Sequence, residues 1–327
     1  MKHIPQACLL TLIFALSTGS AFAQFGGKIP ALTIPPPQNF KTAEEHYRYL
    51  LDEANGGTQH TMATIPVWDG LWVAAYNNMP AVFMTNGAMS NAMNPGGIVK
   101  EGILTPAYEK HFRQRRAEIE EYGEQRYDRL TACEYPGMPR WLWEPYVKEF
   151  ANTPQQSWMF NDAMNETRRI YINAEHINID GNHSATGDSI GFWNEDKLII
   201  WTKWINAADY LRGMPLTSNQ IELVESWQQK IRADGVSILE TQITFYDPVG
   251  LIAPQSAVYV HEQSTQLAEI GARIRNWECS TVNNAYQDEE GNTLWYMPGD
   301  PQYKDPRGFT DFPDIPGQSL DPLNEQN

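Results

Sequence analysis

The stretch Glu222-Leu-Val-Glu-Ser-Trp-Gln-Gln-Lys-Ile-Arg-Ala-Asp-Gly-Val-Ser-Ile-Leu-Glu-Thr-Gln-Ile-Thr-Phe-Tyr246 decides the fold. Two runs rich in β-branched and aromatic residues are split by Ala233-Asp234-Gly235. Asp-Gly is a strong hairpin signal, because a tight turn needs a residue that accepts positive φ. The runs Glu222–Ile231 and Ser237–Tyr246 are therefore expected to pair antiparallel. The same texture recurs at Ser157–Asn161, Arg168–Asn173, Ser189–Trp193, Lys197–Thr202, Ala257–Gln263 and Gly271–Cys279, with a second tight hairpin at Asn194-Glu195-Asp196. Strands do not alternate with helices, which excludes a parallel sheet. The expectation is a mainly β protein with an N-terminal helical portion. Residues 157–279 should form an antiparallel eight-strand barrel of the lipocalin kind, or a sandwich.

Upstream, Ala43–Ala54 has helical spacing, with Thr42 as N-cap and Gly56-Gly57 as the stop. Trp68-Asp69-Gly70-Leu71-Trp72 reads as a strand or turn that docks two indoles. Pro106–Leu130 is the strongest helix, its interleaved charges marking a solvated face. The expected divisions are a leader over 1–23, a lead-in over 24–64, and a helix-containing part over 65–156 that packs on the barrel. The β unit follows over 157–279, and a loose tail rich in Asp, Pro and Gly occupies 280–327.

Residues 1–23 have the three parts of a cleavable signal peptide. Lys2 and His3 begin it, Leu9–Leu16 is a short apolar run, and Ala21-Phe22-Ala23 offers small residues for cleavage after Ala23. The run is too short for a membrane span, which needs about 20 residues, so a periplasmic or secreted product that does not span a membrane is expected. The chain carries Lys+Arg 24 against Asp+Glu 40, a net charge of −16, which becomes −17 without Lys2. With no basic block, nucleic acid is not an expected partner. No glycine-rich nucleotide loop is present, so no cofactor is expected. Two cysteines remain after the leader, Cys133 and Cys279. In an oxidising compartment they are expected to pair.

Several pieces come in an order that resembles a large, mostly uncharacterised family of exported bacterial proteins with a GDS[IV]GxW hairpin. They are Trp68–Trp72, Cys133 with Pro136–Arg140, Arg169-Ile170-Tyr171, Gly187–Leu198, Asp247-Pro248 and Glu278-Cys279. The resemblance covers roughly residues 65–285. It implies export, a β-rich fold and the disulfide, and no particular reaction. Members follow the Arg-Ile-Tyr strand with an Asp-Gly-Arg-x-His-Pro turn, where this chain has Asn173-Ala174-Glu175-His176.

Gly187-Asp188-Ser189-Ile190-Gly191 matches G-x-S-x-G, which makes Ser189 a candidate nucleophile. A nucleophile elbow is followed by a helix, whereas Phe192–Trp201 reads as a β-hairpin, so a turn role competes with catalysis. The loop before it crowds Glu175, His176, Asn178, Asp180, Asn182, His183 and Asp188 into one segment. Their spacing fits neither a calcium loop nor a helical histidine pair, so no metal is expected. His261 lies in an expected strand and becomes a candidate general base if it faces inward. The candidate catalytic set is His261, Ser189, Asp188 and His183. The candidate ligand-binding set is Trp193, Trp201, Trp227, Arg168 and His176. Trp 11 and Tyr 15 are high counts, suited to an apolar or sugar ligand. The leading expectation is a periplasmic protein that binds a small organic ligand, with acid–base chemistry on an apolar or aromatic compound as its enzymatic form. A serine hydrolase using Ser189 and an envelope structural or interaction protein are the alternatives.

Overall fold

The structure is a computed structural model that describes residues 39–85, 98–122, 129–177, 182–211, 213–277, 279, 285–287 and 293–295. The expected leader, most of the tail, and Asn178, Asp180 and Glu278 lie outside the described residues.

Nine strands close a barrel. They are β1 (Trp72–Asn77), β2 (Lys148–Asn152), β3 (Gln156–Asn161), β4 (Thr167–Ile172), β5 (Asp188–Asn194), β6 (Lys197–Lys203), β7 (Glu222–Ile231), β8 (Ser237–Tyr246) and β9 (Gln255–Gln263). The short strands β10 (Ala285–Gln287) and β11 (Thr293–Trp295) form a separate pair. Around the barrel each strand pairs with its sequence neighbour, and β9 returns to β1 with Trp72 opposite Gln263.

The barrel corrects the expectation of eight antiparallel strands in three ways. First, β1 and β2 complete it from residues 65–156, the part expected to pack against it from outside. Second, β4 and β5 run parallel, with Ile170 opposite Ser189. Parallel neighbours need a long crossover, and residues 173–187 supply it. Third, the described residues of the expected strand Gly271–Cys279 form no strand. Its backbone is held by a side chain instead: Asn165 Nδ2 donates to Arg275 O at 2.7 Å and Asn165 Oδ1 accepts from Trp277 N at 2.6 Å. Trp277 also meets Tyr146 edge to face at 5.1 Å. Next to this strap the disulfide Cys133–Cys279 is present, with Cα atoms 5.8 Å apart.

The barrel interior follows from period-two alternation. Leu223, Glu225 and Trp227 of β7 face Leu239, Thr241, Ile243 and Phe245 of β8, all buried. Trp68 lies beneath them, with ring centroids 5.5 Å from Trp193 and 5.7 Å from Phe150. Trp72 Nε1 donates to Trp68 O at 3.2 Å, so the stretch expected to dock two indoles does so.

β5 and β6 are buried on both faces, which explains the continuous apolar run Leu198–Trp201. The helix α1 (Ala43–Glu53) covers their outer side, packing Ala43 and Tyr47 on Ile190, Phe192, Ile199 and Trp201. Thr42 caps α1, its Oγ1 accepting from Glu45 N at 3.2 Å. Among the described residues three other α-helices follow: α2 (Met79–Phe83), α3 (Pro106–Tyr122) and α4 (Thr265–Glu269). The expected helix at 106–130 is thus α3, followed by a 3-10 turn at Arg129–Ala132. No helix among the described residues is long and apolar enough to cross a membrane.

Gly187 marks where the crossover enters β5. At φ +66°, a Cβ there would lie 2.4 Å from Lys203 O and 2.8 Å from Ile205 Cγ1. Gly187→Ala is therefore expected to cost about 2–4 kcal/mol, from overpacking plus left-handed backbone strain. Urea midpoints at an unchanged m-value measure it. A loss under about 0.5 kcal/mol would refute the close-approach reading.

Candidate functional site

β4 alternates strictly, which turns Arg168, Ile170 and Ile172 into the barrel. Arg168 and Glu225 have no side-chain exposure and form a bidentate pair: Nη1 donates to Oε2 at 2.9 Å and Nη2 to Oε1 at 2.6 Å. Arg168 Nη2 also donates to Thr202 Oγ1 at 2.6 Å and Nε to Ser189 Oγ at 3.2 Å. Ser189 and Thr202 hydroxyls are 2.9 Å apart, and Trp227 Nε1 donates to Glu225 Oε2 at 2.9 Å. The buried charges are thus compensated at each end.

Asp188 and Ser189 are successive strand residues and point to opposite faces. Outside the barrel, Asp188 Oδ2 accepts from His176 Nδ1 at 2.7 Å. A carboxylate only accepts, so Nδ1 carries the hydrogen of this bond. Nε2 is buried with no partner. The imidazole lies edge-on to Trp201 at 4.5 Å and to Trp204 at 5.6 Å.

Trp201 also walls a surface cleft of about 220 Å³ between α1, the start of the crossover and the outer face of β5 and β6. Tyr47, Leu51, Phe192 and Trp201 give it apolar sides; Arg48 and Glu175 bring charge to it. Burial, with Glu175 nearby, pushes the Tyr47 phenol well above its usual range, so it stays a neutral donor. Drug-sized ligands occupy roughly 300–1,000 Å³, so a cleft of this size fits a single ring or a sugar unit rather than a large cofactor.

The remaining candidates lie elsewhere. His261 is fully buried, stacked on Trp227 at 5.7 Å, and its Nε2 donates to Leu142 O at 2.8 Å. Burial, with Lys148 nearby, lowers its pKa to about 3, so it is neutral. His183 is exposed beside Asn219 O at 3.1 Å. Trp193 and Trp227 belong to the interior aromatic cluster. The four candidate catalytic residues therefore do not share one cavity: Ser189 and His261 face inward, while Asp188 and His183 lie outside. Of the ligand-binding candidates, Trp201 lines the cleft, His176 packs on Trp201 without lining it, and Arg168, Trp193 and Trp227 fill the barrel. Among the described residues no group of three or more His, Cys, Asp or Glu side chains converges to hold a metal.

Sequence reading missed the walls contributed by Tyr47, Arg48 and Leu51. They belong to a helix read only as a helix, and no local signal tells which strands such a helix covers. Comparison with protein-family models, curated proteins and solved structures finds no match.

Proposed function

We propose that this is an exported protein that binds a compact, ring-sized organic molecule in the cleft under α1. The observation that carries the reading is the aromatic and apolar wall of Tyr47, Phe192 and Trp201 with Arg48 and Glu175 beside it. Apolar walls with a few placed polar groups are the usual makeup of a small-molecule site. His176, oriented by Asp188, packs edge-on against Trp201 and does not itself line the cleft. Export is supported by the disulfide, a bond favoured in oxidising compartments. The serine-hydrolase alternative has less support, because Ser189 is buried and committed to Arg168 and Thr202. An envelope interaction protein would be indicated by a cleft that takes no ligand.

The test is tryptophan fluorescence titrated with single-ring aromatic compounds and monosaccharides. At least one is expected to give a saturable change. Ala174 lines the cleft from the crossover, half-buried against the Tyr47–Trp201 cluster, so Ala174→Trp fills it. That substitution is expected to weaken binding at least tenfold, about 1.4 kcal/mol. Absence of saturation by any compound, or undiminished binding by Ala174→Trp, would count against the cleft.

A further inference from the structure

Three buried polar side chains gather where β2, β3 and the turn into β4 come together, and the cleft uses none of them. Lys148 opens β2, Asn161 closes β3, and the two are directly opposite across the antiparallel pair. Opposed residues share a face with Cβ atoms about 4.5–5.5 Å apart, a gap that a lysine side chain spans with slack. Neither residue has any exposure. Glu166, 2% exposed, sits one tight turn further on, its carbonyl accepting from Asn161 N at 3.0 Å. Glu166 Oε1 accepts from Gly137 N at 3.2 Å, while Oε2 has no partner. Asn161 Oδ1 accepts only a long bond from Ala163 N at 3.4 Å, and its Nδ2 has no partner at all. Lys148 Nζ donates to Glu144 O at 2.8 Å and Tyr146 O at 3.3 Å and lies 5.2 Å from the Trp141 ring.

An unpartnered buried amide opposite a buried amine is costly as a static arrangement. We propose that Lys148 and Asn161 are joined by an intramolecular amide bond, with Glu166 carrying the proton. Lys148 Nζ attacks Asn161 Cγ; the Nζ–Cγ bond forms, the Cγ–Nδ2 bond breaks, and the side-chain nitrogen leaves as ammonia. Glu166 donates to the amide oxygen, takes up the proton that Nζ sheds and passes it to Nδ2; as ammonia leaves and the carbonyl re-forms, the oxygen's proton returns to Glu166. One amide replaces another, so no oxidant and no activated co-reactant is consumed.

The step needs an uncharged amine and a protonated acid. Burial supplies both, drawing the Lys148 amine down to about 7 and pushing the Glu166 carboxyl up to about 8. The bond has a structural use. β1 and β2 share a single register pair, Trp72 with Lys148, so the barrel is most thinly joined there. A bond to Asn161 fixes to β3 the one residue of β2 that meets β1.

Intact-mass spectrometry of the purified, unreduced protein decides the matter, with a tryptic map to fix its termini. The expected mass is lower by one ammonia, about 17 Da, than the sequence with its disulfide. Tandem fragmentation should find a branched peptide that carries both Lys148 and Asn161. Asn161→Ala should restore the unlinked mass, and Glu166→Gln should greatly reduce the linked fraction. A wild-type mass without the loss, with a linear peptide ending at unmodified Lys148, overturns the proposal. That measurement needs no variant, so misfolding of a substitution cannot obscure it. A Glu166→Gln protein linked as completely as wild type overturns the role of Glu166.

Discussion

Arg168→Met is expected to lower the unfolding free energy by about 3–5 kcal/mol, because it strands Glu225 as an uncompensated charge inside the barrel. The guanidinium gives Glu225 two of its three hydrogen bonds, and Trp227 Nε1 gives the third. It also ties the Ser189 and Thr202 hydroxyls on the neighbouring strands. Methionine keeps much of the volume and removes every donor, which separates lost charge compensation from a cavity. Adding Glu225→Leu should recover part of the loss, since an apolar pair needs no partners. Urea denaturation of the two single variants and the double variant measures all three. A single-variant loss under about 1 kcal/mol, or a double variant worse than both singles, would refute the network as a structural unit.

The second large effect is expected from Cys133→Ser with Cys279→Ser. The bond spans 146 residues of sequence. On the chain-entropy model, closing a loop of that size stabilises the fold by about 5 kcal/mol. The loss should not be uniform. Cys279 follows the strap at Arg275 and Trp277, which one asparagine and one ring contact hold to the barrel. Hydrogen exchange should show residues 272–277 opening first in the double variant, with β7 and β8 still protected. Equal protection of the strap in both proteins would show that Asn165 and Tyr146 suffice to hold it.

The β7–β8 hairpin was fully legible because two independent signals agree there: a period-two pattern and an Asp-Gly turn at positive φ. The disulfide was legible because only two cysteines, Cys133 and Cys279, lie beyond the stretch expected to be a leader. β2 was not, because Lys-Glu-Phe-Ala-Asn offers little apolar alternation, and its inward lysine meets partners, the carbonyls of residues 144 and 146, that no local pattern announces. The parallel β4–β5 pairing was hidden for a similar reason, since pairing direction depends on the path of the crossover, which no local pattern encodes. The candidate residues divide by one step of strand phase. Asp188 and Ser189 look like one motif in sequence, yet they serve the outer histidine and the inner arginine respectively. Gly187 and Gly191, which complete the serine-hydrolase look-alike, are there for close packing: a Cβ on Gly191 would sit 2.6 Å from Ile199 O.

The way the barrel closes bears on how the chain reaches it. β1 pairs over nearly its whole length with β9, close to the other end of the described chain, and meets β2 through one residue pair. Local hairpins such as β7–β8 form without crossing long loops, whereas β1 must wait until β9 has been made. Until then Trp72-Val-Ala-Ala-Tyr-Asn77 is an apolar edge strand with nothing beside it. Contact order, more than final stability, thus sets the hazard of this fold: the slow event is a long-range docking, and the exposed template is the first strand of the barrel to be synthesised.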